Sequence, residues 1–159
     1  MQTHEKMIRS VLLPLTSDTL LLPHSALVEI IPERDIRPVD NAPDWVLGEI
    51  EWNNEVLPLL SLEVAIGSEK PDMPKRSRLI VLAFLSDHSQ YKYLAIRATG
   101  VPRLVQLEPD SLTLKETHGI SSKFIDFYGT LNGKTVIVPN MLELEANITA
   151  AVRPVLAKA

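Results

Sequence analysis

Side chains able to do chemistry are present in this chain, but they are scattered. The four histidines, His4, His24, His88 and His118, form no H-x-x-x-H pair that would put two imidazoles on one helix face, so no metal site is expected. His24 and His118 sit in turn-like contexts, where a solvated or backbone-bonded imidazole is the ordinary reading. His118 with Ser121, Ser122 and Asp126 offers the residue types of a nucleophile and its base. However, no G-x-S-x-G elbow exists to strain a serine into a reactive pose. None of the six glycines falls in a G-x-G-x-x-G or G-x-x-x-x-G-K phosphate cradle. Cysteine is absent, which excludes disulfides, thiol catalysis and cysteine-ligated zinc. Neither a catalytic centre nor a cofactor site is expected.

Three glutamates and two tryptophans stand out instead. Glu29 lies inside the apolar run 26–31, where a carboxylate needs a partner or a purpose. Glu49 and Glu51 alternate with Ile50 and Trp52, and read as the water-facing side of a strand. Trp45 reads as core, whereas Trp52 suits a core or a binding surface equally well. Lys75-Arg76-Ser77-Arg78 is the one basic cluster, and in a chain of formal net charge -4 it reads as a solvated loop. The same acidic balance argues against nucleic acid and anionic membrane as partners.

These residues depend on short strands for their placement. The stretch 41–62 is the organising one. Asn41 is able to cap a helical turn, Pro43 suits its first position, and Gly48 is expected to close it at positive φ. Glu49 to Trp52 then forms a strand, Asn53-Asn54 a tight hairpin turn, and Glu55 to Leu60 the return strand. A two-residue loop sets Ile50 opposite Leu57, facing inward, and Glu51 opposite Val56. Pro58 cannot donate to a ladder, which predicts an edge or a bulge there.

The strand pattern extends through the chain: 8–15 and 20–23 around a polar turn at Thr16-Ser17-Asp18-Thr19, then 79–85 and 91–96 around a turn at 86–90, and then 101–107. Residues 111–122 read as irregular, and 26–31 is too short to assign by period. Asn132-Gly133 between 124–131 and 135–138 is the strongest hairpin signal, and Met141 to Ile148 has helical spacing.

The two hairpins match. Gly48 precedes Ile50 and, ten residues on, Pro58; Gly129 precedes Leu131 and, at the same offset, Pro139. Each half also opens on a strand, a Ser-Asp turn and a strand. A duplicated module with about five short strands per copy predicts an all-β protein of two small five-stranded SH3-like barrels, with short helices and a C-terminal helical segment. One domain is expected over 7–148, with the two intertwined halves meeting in the Pro- and Gly-bearing stretch 67–78 and a tail at 149–159. The apolar fraction of 45% is globular, and no apolar run is long enough to span a bilayer. The N-terminal apolar patch, broken by Pro14, is too short for a secretory signal, so a cytoplasmic location is expected.

The order of these features resembles the CheW-like domain of bacterial chemosensory systems: an E-I pair at Glu29-Ile30, a turn at Asn41-x-Pro43, G-x-I at Gly48, then V-L-P-L-x-x-L from Val56 to Leu62, and a second half built alike. The likeness covers roughly 7–148. It implies two five-stranded barrels and no chemistry. It also implies binding to the regulatory domain of a CheA-type histidine kinase and to the cytoplasmic tip of a methyl-accepting chemoreceptor, at membrane-associated receptor arrays and without insertion into the membrane. The family's Glu falls on Glu29, with Val28 and Ile30 around it, and its first-hairpin Gly falls on Gly48. The partner-binding surface implied comprises Val28, Glu29, Ile30, Gly48, Trp52, Asn53, Asn54 and Val56.

The Gly of the family's V-D-G-V pattern falls on Gly100, while its Asp is replaced by Thr99. The N-L-R-G turn reads Glu51-Trp52-Asn53-Asn54, and Asn53 cannot make the charged bidentate contact of an arginine. With these departures the chain resembles a divergent member of the family, similar to the accessory, ChpC-type proteins of the system that controls type IV pili and twitching. A rival of another class, a small two-barrel ligand-binding module, calls for a polar pocket with a shifted carboxylate or histidine.

Overall fold

Leu79, Ile80, Val81 and Leu82 are all 0% exposed. Successive side chains of a strand point to opposite faces, so a strand buried at every position must be covered on both sides. The computed structural model describes residues 8–15, 18–66, 77–85, 91–115 and 123–157 and shows what covers it.

Among the described residues eleven strands form two sheets. The first has the order β8-β1-β2-β11-β10-β9, from β1 (Ile8–Pro14), β2 (Thr19–Pro23), β8 (Arg103–Leu107), β9 (Leu112–Lys115), β10 (Ile125–Leu131) and β11 (Lys134–Pro139). The second has the order β3-β6-β7-β5-β4, from β3 (Leu27–Pro32), β4 (Val46–Trp52), β5 (Glu55–Leu60), β6 (Arg78–Ala83) and β7 (Tyr93–Ala98). The protein is thus mostly β, as expected, with six strands in one sheet and five in the other. Among the described residues helix is limited to single 3-10 turns, the one-turn α1 (Leu62–Ala65) and the long α2 (Met141–Ala157).

Three apolar clusters account for the burial. Every strand of the second sheet turns residues into one of them, including Ile31, Ile50, Trp52, Leu57, Leu59, Leu79, Val81 and Ala95. The first sheet encloses a smaller cluster around Leu21, Leu107, Leu131 and Val136. Residues of opposite parity, Val11, Leu13, Leu20 and Leu22 from one sheet and Leu60, Ile80, Leu82, Leu94 and Ile96 from the other, meet between the sheets. Met141, Leu144 and Ile148 of α2 join this middle layer. Asn140 starts the helix, its side-chain oxygen accepting the Glu143 N–H at 3.0 Å.

The sheets exchange strands. The first hairpin, β1–β2, lies in the sheet of β8 to β11, and β6–β7 lies in that of β3, β4 and β5. The joins are the two parallel pairings, β2 with β11 and β5 with β7. Read as two repeats, β1 to α1 and β6 to α2, each repeat lends its opening hairpin to the other's sheet. Most of 67–78 lies outside the described residues, and the strands that follow it join the sheet of β3 to β5.

Both predicted hairpin turns form with positive φ, Asn53 (53°) with Asn54 (64°) and Asn132 (51°) with Gly133 (82°). Ile50 pairs with Leu57 and Glu51 with Val56, as the two-residue loop requires. Other expectations need correction. No helix forms at 41–48; Asn41 takes φ 60° in a turn, and Gly48 lies within β4 at a register shift. Pro58 sits in an interior strand. Its cross-strand neighbour Glu49 turns its N–H and C=O away to Arg37, and pairing with β7 begins only at Leu59, so nothing asks Pro58 for a donor. Residues 112–115, expected to be irregular, form β9, and the helix expected over 141–148 continues to Ala157.

Candidate partner-binding site

The edge of the second sheet carries most of the expected binding residues. Strand β3 pairs only with β6 among the described strands, and its register shifts between Leu27 and Glu29, leaving Val28 without a cross-strand partner. Such a bulge re-aims side chains at an edge. Val28 and Ile30 are 41% and 38% exposed, and Glu29 between them is exposed too. The Trp52 indole N–H donates to Glu29 Oε1 at 3.1 Å, a bond between residues 23 apart that ties β3 to the end of β4. Trp52 itself is core: it is 8% exposed and lies edge-on to Tyr93 with ring centroids 5.1 Å apart. Asn53 and Asn54 are exposed at the turn beyond it, and Val56, 39% exposed, begins the return strand. The structure therefore brings Val28, Glu29, Ile30 and Trp52 together, with Asn53, Asn54 and Val56 on the hairpin that Trp52 ends.

Gly48 has a different job. After β3 the chain turns back, and Arg37 exchanges two backbone hydrogen bonds with Glu49, each 2.8 Å. The Arg34 guanidinium adds a bond to the Glu51 carbonyl at 2.7 Å. This return segment runs along the outer edge of β4, and it passes directly over Gly48. A Cβ there would stand 2.3 Å from the Arg37 carbonyl oxygen and 2.6 Å from Ile36 Cγ2, with φ at +148°.

Glu49, expected to face water, is engaged from two sides. Its side chain is 22% exposed, the Tyr91 hydroxyl donates to Oε2 at 3.1 Å, and Arg37 stands 3.9 Å from Oε1. Glu51 is exposed as expected. A groove of roughly 570 Å³ along this segment is lined by Glu33, Arg34, Asp35, Arg37, Glu49 and Glu51. At its end Glu33 grips Arg97 through both oxygens, at 2.9 and 3.1 Å, and accepts the Ser77 hydroxyl. None of these closing contacts was read from the sequence, because each joins residues remote along the chain.

The other chemistry-bearing residues do not converge. His4, His88, His118, Ser121, Ser122, Lys75 and Arg76 lie outside the described residues. His24 lines a second groove of about 360 Å³ with Arg9, Ser10, Leu104, Val105 and Gln106. Among the described residues no group of His, Asp and Glu has the arrangement of a metal site, and no helix is long and apolar enough to cross a membrane. Trp45, expected to be core, is half-buried and packs against the middle layer, edge-on to Phe124 at 5.2 Å.

Two intertwined sheets with a helix closing the layer between them, built from one duplicated hairpin pattern, define the fold; comparison with known families agrees. The profile of the CheW-like domain matches residues 9–147. The chain belongs to the CheW-like domain family. Its structure is similar to that of the scaffolding protein TtCheW from Thermoanaerobacter tengcongensis, with a TM-score of 0.72 and 17% identity over 89% of each chain. No curated protein matches it. The glycine of the CheW-like V-D-G-V pattern, Gly100, also has a steric reason here: a Cβ would come within 2.9 Å of Pro14 Cγ, where Thr99 bonds the Pro14 carbonyl.

Proposed function

We propose that the protein is a non-enzymatic adaptor of a bacterial chemosensory array, coupling methyl-accepting chemoreceptors to the regulatory domain of a CheA-type histidine kinase. Membership of the CheW-like family supports the adaptor class, and the likeness to a scaffolding protein agrees with it. The observation that carries the reading is the β3 edge. There a strand paired on one side only, among the described strands, presents Val28 and Ile30 to solvent around a carboxylate held in place by a buried tryptophan. Exposed edge strands recruit further strands, and apolar side chains beside the edge add the burial that makes such pairing stable. On this reading Val28, Glu29, Ile30, Asn53, Asn54 and Val56 contact the partner, while Trp52 and Gly48 hold the surface in shape.

A narrower reading, an accessory adaptor that binds only one of these partners and serves type IV pili, rests on Asn53. It is exposed at the hairpin turn, where the family has an arginine, and an amide cannot replace a bidentate cation. Isothermal titration against the regulatory domain of each CheA-type kinase from the same genome, then against a receptor-tip fragment, tests both. Binding of both partners establishes the coupler and binding of one the accessory protein; binding of neither refutes the adaptor role.

A further inference from the structure

Glu29 is the only acid on β3, and it stands between two exposed apolar side chains. Among the described residues its bonding partner is the Trp52 indole, a neutral donor that fixes the carboxylate and leaves its charge uncompensated. The guanidinium groups of the return segment and of β7 are engaged with other groups: Arg34 with the Glu51 main chain, Arg37 beside Glu49, Arg97 on Glu33. One oxygen of Glu29 accepts the indole N–H, which leaves Oε2 for a second donor.

A glutamate serving solubility alone has no need of a fixed rotamer, and a buried indole N–H needs only an acceptor of any charge. What the geometry adds is a held negative charge at the centre of an apolar edge. A strand pairing there sets one side chain opposite Glu29 on its own face, with its two neighbours on the face of Val28 and Ile30. We infer that the partner segment docking on β3 carries an arginine or lysine flanked by apolar residues, and that Trp52 is the positioning residue that holds Glu29 to receive it. This inference rests on the β3 edge being the docking surface proposed above, and it adds the charge class of what docks there.

Glu29→Gln separates the two roles of the side chain, since its amide oxygen still accepts from Trp52 while the charge is gone. The test is an NMR titration of the full chain with two acetylated seven-residue peptides of strand-forming sequence, alike except for the central residue between valines, arginine in one and glutamate in the other. The arginine peptide is expected to shift the amides of residues 28–31 and the Trp52 indole N–H, and to bind about fivefold or more tightly than the glutamate peptide at low salt. Glu29→Gln is expected to abolish that preference, and Trp52→Phe to reduce it in chains that keep a folded spectrum. Equal binding of the two peptides, no shift from either, or a preference that survives Glu29→Gln overturns the inference. Titration of the kinase regulatory domain keeps the two proposals apart. A domain that binds wild type and Glu29→Gln equally overturns the inference and leaves the adaptor role standing. An arginine preference at β3 without any kinase or receptor binding supports the charge assignment and refutes the adaptor role.

Discussion

Replacing Gly48 by alanine is the most direct test of how the second sheet closes. The new Cβ would lie 2.3 Å from the Arg37 carbonyl oxygen, inside any real contact distance, and that oxygen is backbone, so no flexible side chain can yield there. The strand bears a φ near +148°, a conformation that costs a residue with a Cβ about 1–3 kcal/mol, and must also pull away from residues 36–37 to relieve the contact. Pulling away sacrifices the two Arg37–Glu49 backbone bonds, worth about 1 kcal/mol each, and uncovers part of Ile36, which packs on the barrel cluster. The expected loss is therefore about 3–5 kcal/mol, or a fall in Tm of roughly 10 °C for a chain of this size. Urea unfolding gives the energy. Hydrogen exchange gives the place, since the Arg37 and Glu49 amides should lose protection before the rest of β4. A loss below about 1 kcal/mol, or a larger one with both amides protected as in wild type, would refute the argument.

Asn140→Ala removes the acceptor at the start of α2 and should cost about 1 kcal/mol in urea unfolding, whereas Asn140→Asp should cost little. Leu94→Ala opens a cavity at a fully buried position between the sheets, and should cost about 2–5 kcal/mol with an unchanged denaturant slope. Tyr128 has a pKa raised above its ordinary 10.0, first by burial and then by the Asp18 carboxylate. The folded state thus holds its phenolic proton more tightly than the unfolded one. The stability this contributes is fully present below pH 10 and is lost as the pH rises through the folded value. Tyr128→Phe should flatten the fall of the urea midpoint as the pH rises above 10, and an equally steep fall in the variant would show that another group is responsible.

What could be read from the sequence was local. Asn53-Asn54 and Asn132-Gly133 specify their turns because residues that tolerate positive φ sit between two apolar runs, and a two-residue loop then fixes the register. What could not be read depends on residues far apart in the chain. Gly48 announced positive φ correctly. The reason, however, was the Arg37 carbonyl arriving from a loop rather than a helix ending, and a glycine looks the same in both settings. Pro58 suggested an edge because a strand interior normally demands its missing N–H. The interior position is tolerated because Glu49 spends its own backbone groups on Arg37. At the candidate site, the composition around Glu29 showed that the carboxylate needed a partner. That the partner is Trp52 follows only from the fold that brings β3 to the end of β4.

The exchange of hairpins ties these observations together. A run such as Leu79 to Leu82 has no period because one parity serves its own barrel and the other the layer between the sheets. Strand β6 is therefore clamped on both faces, and β3 is bonded along it from Leu27 to Pro32. The edge proposed for docking is thus backed by one of the most deeply buried strands of the protein. A strand docking on β3 has little ordering left to impose on that surface, so its side chains can spend their contacts on selectivity. With Val28 and Ile30 supplying contact that any apolar strand could satisfy, the discriminating group on this edge is the one charge that the indole of Trp52 holds still, Glu29.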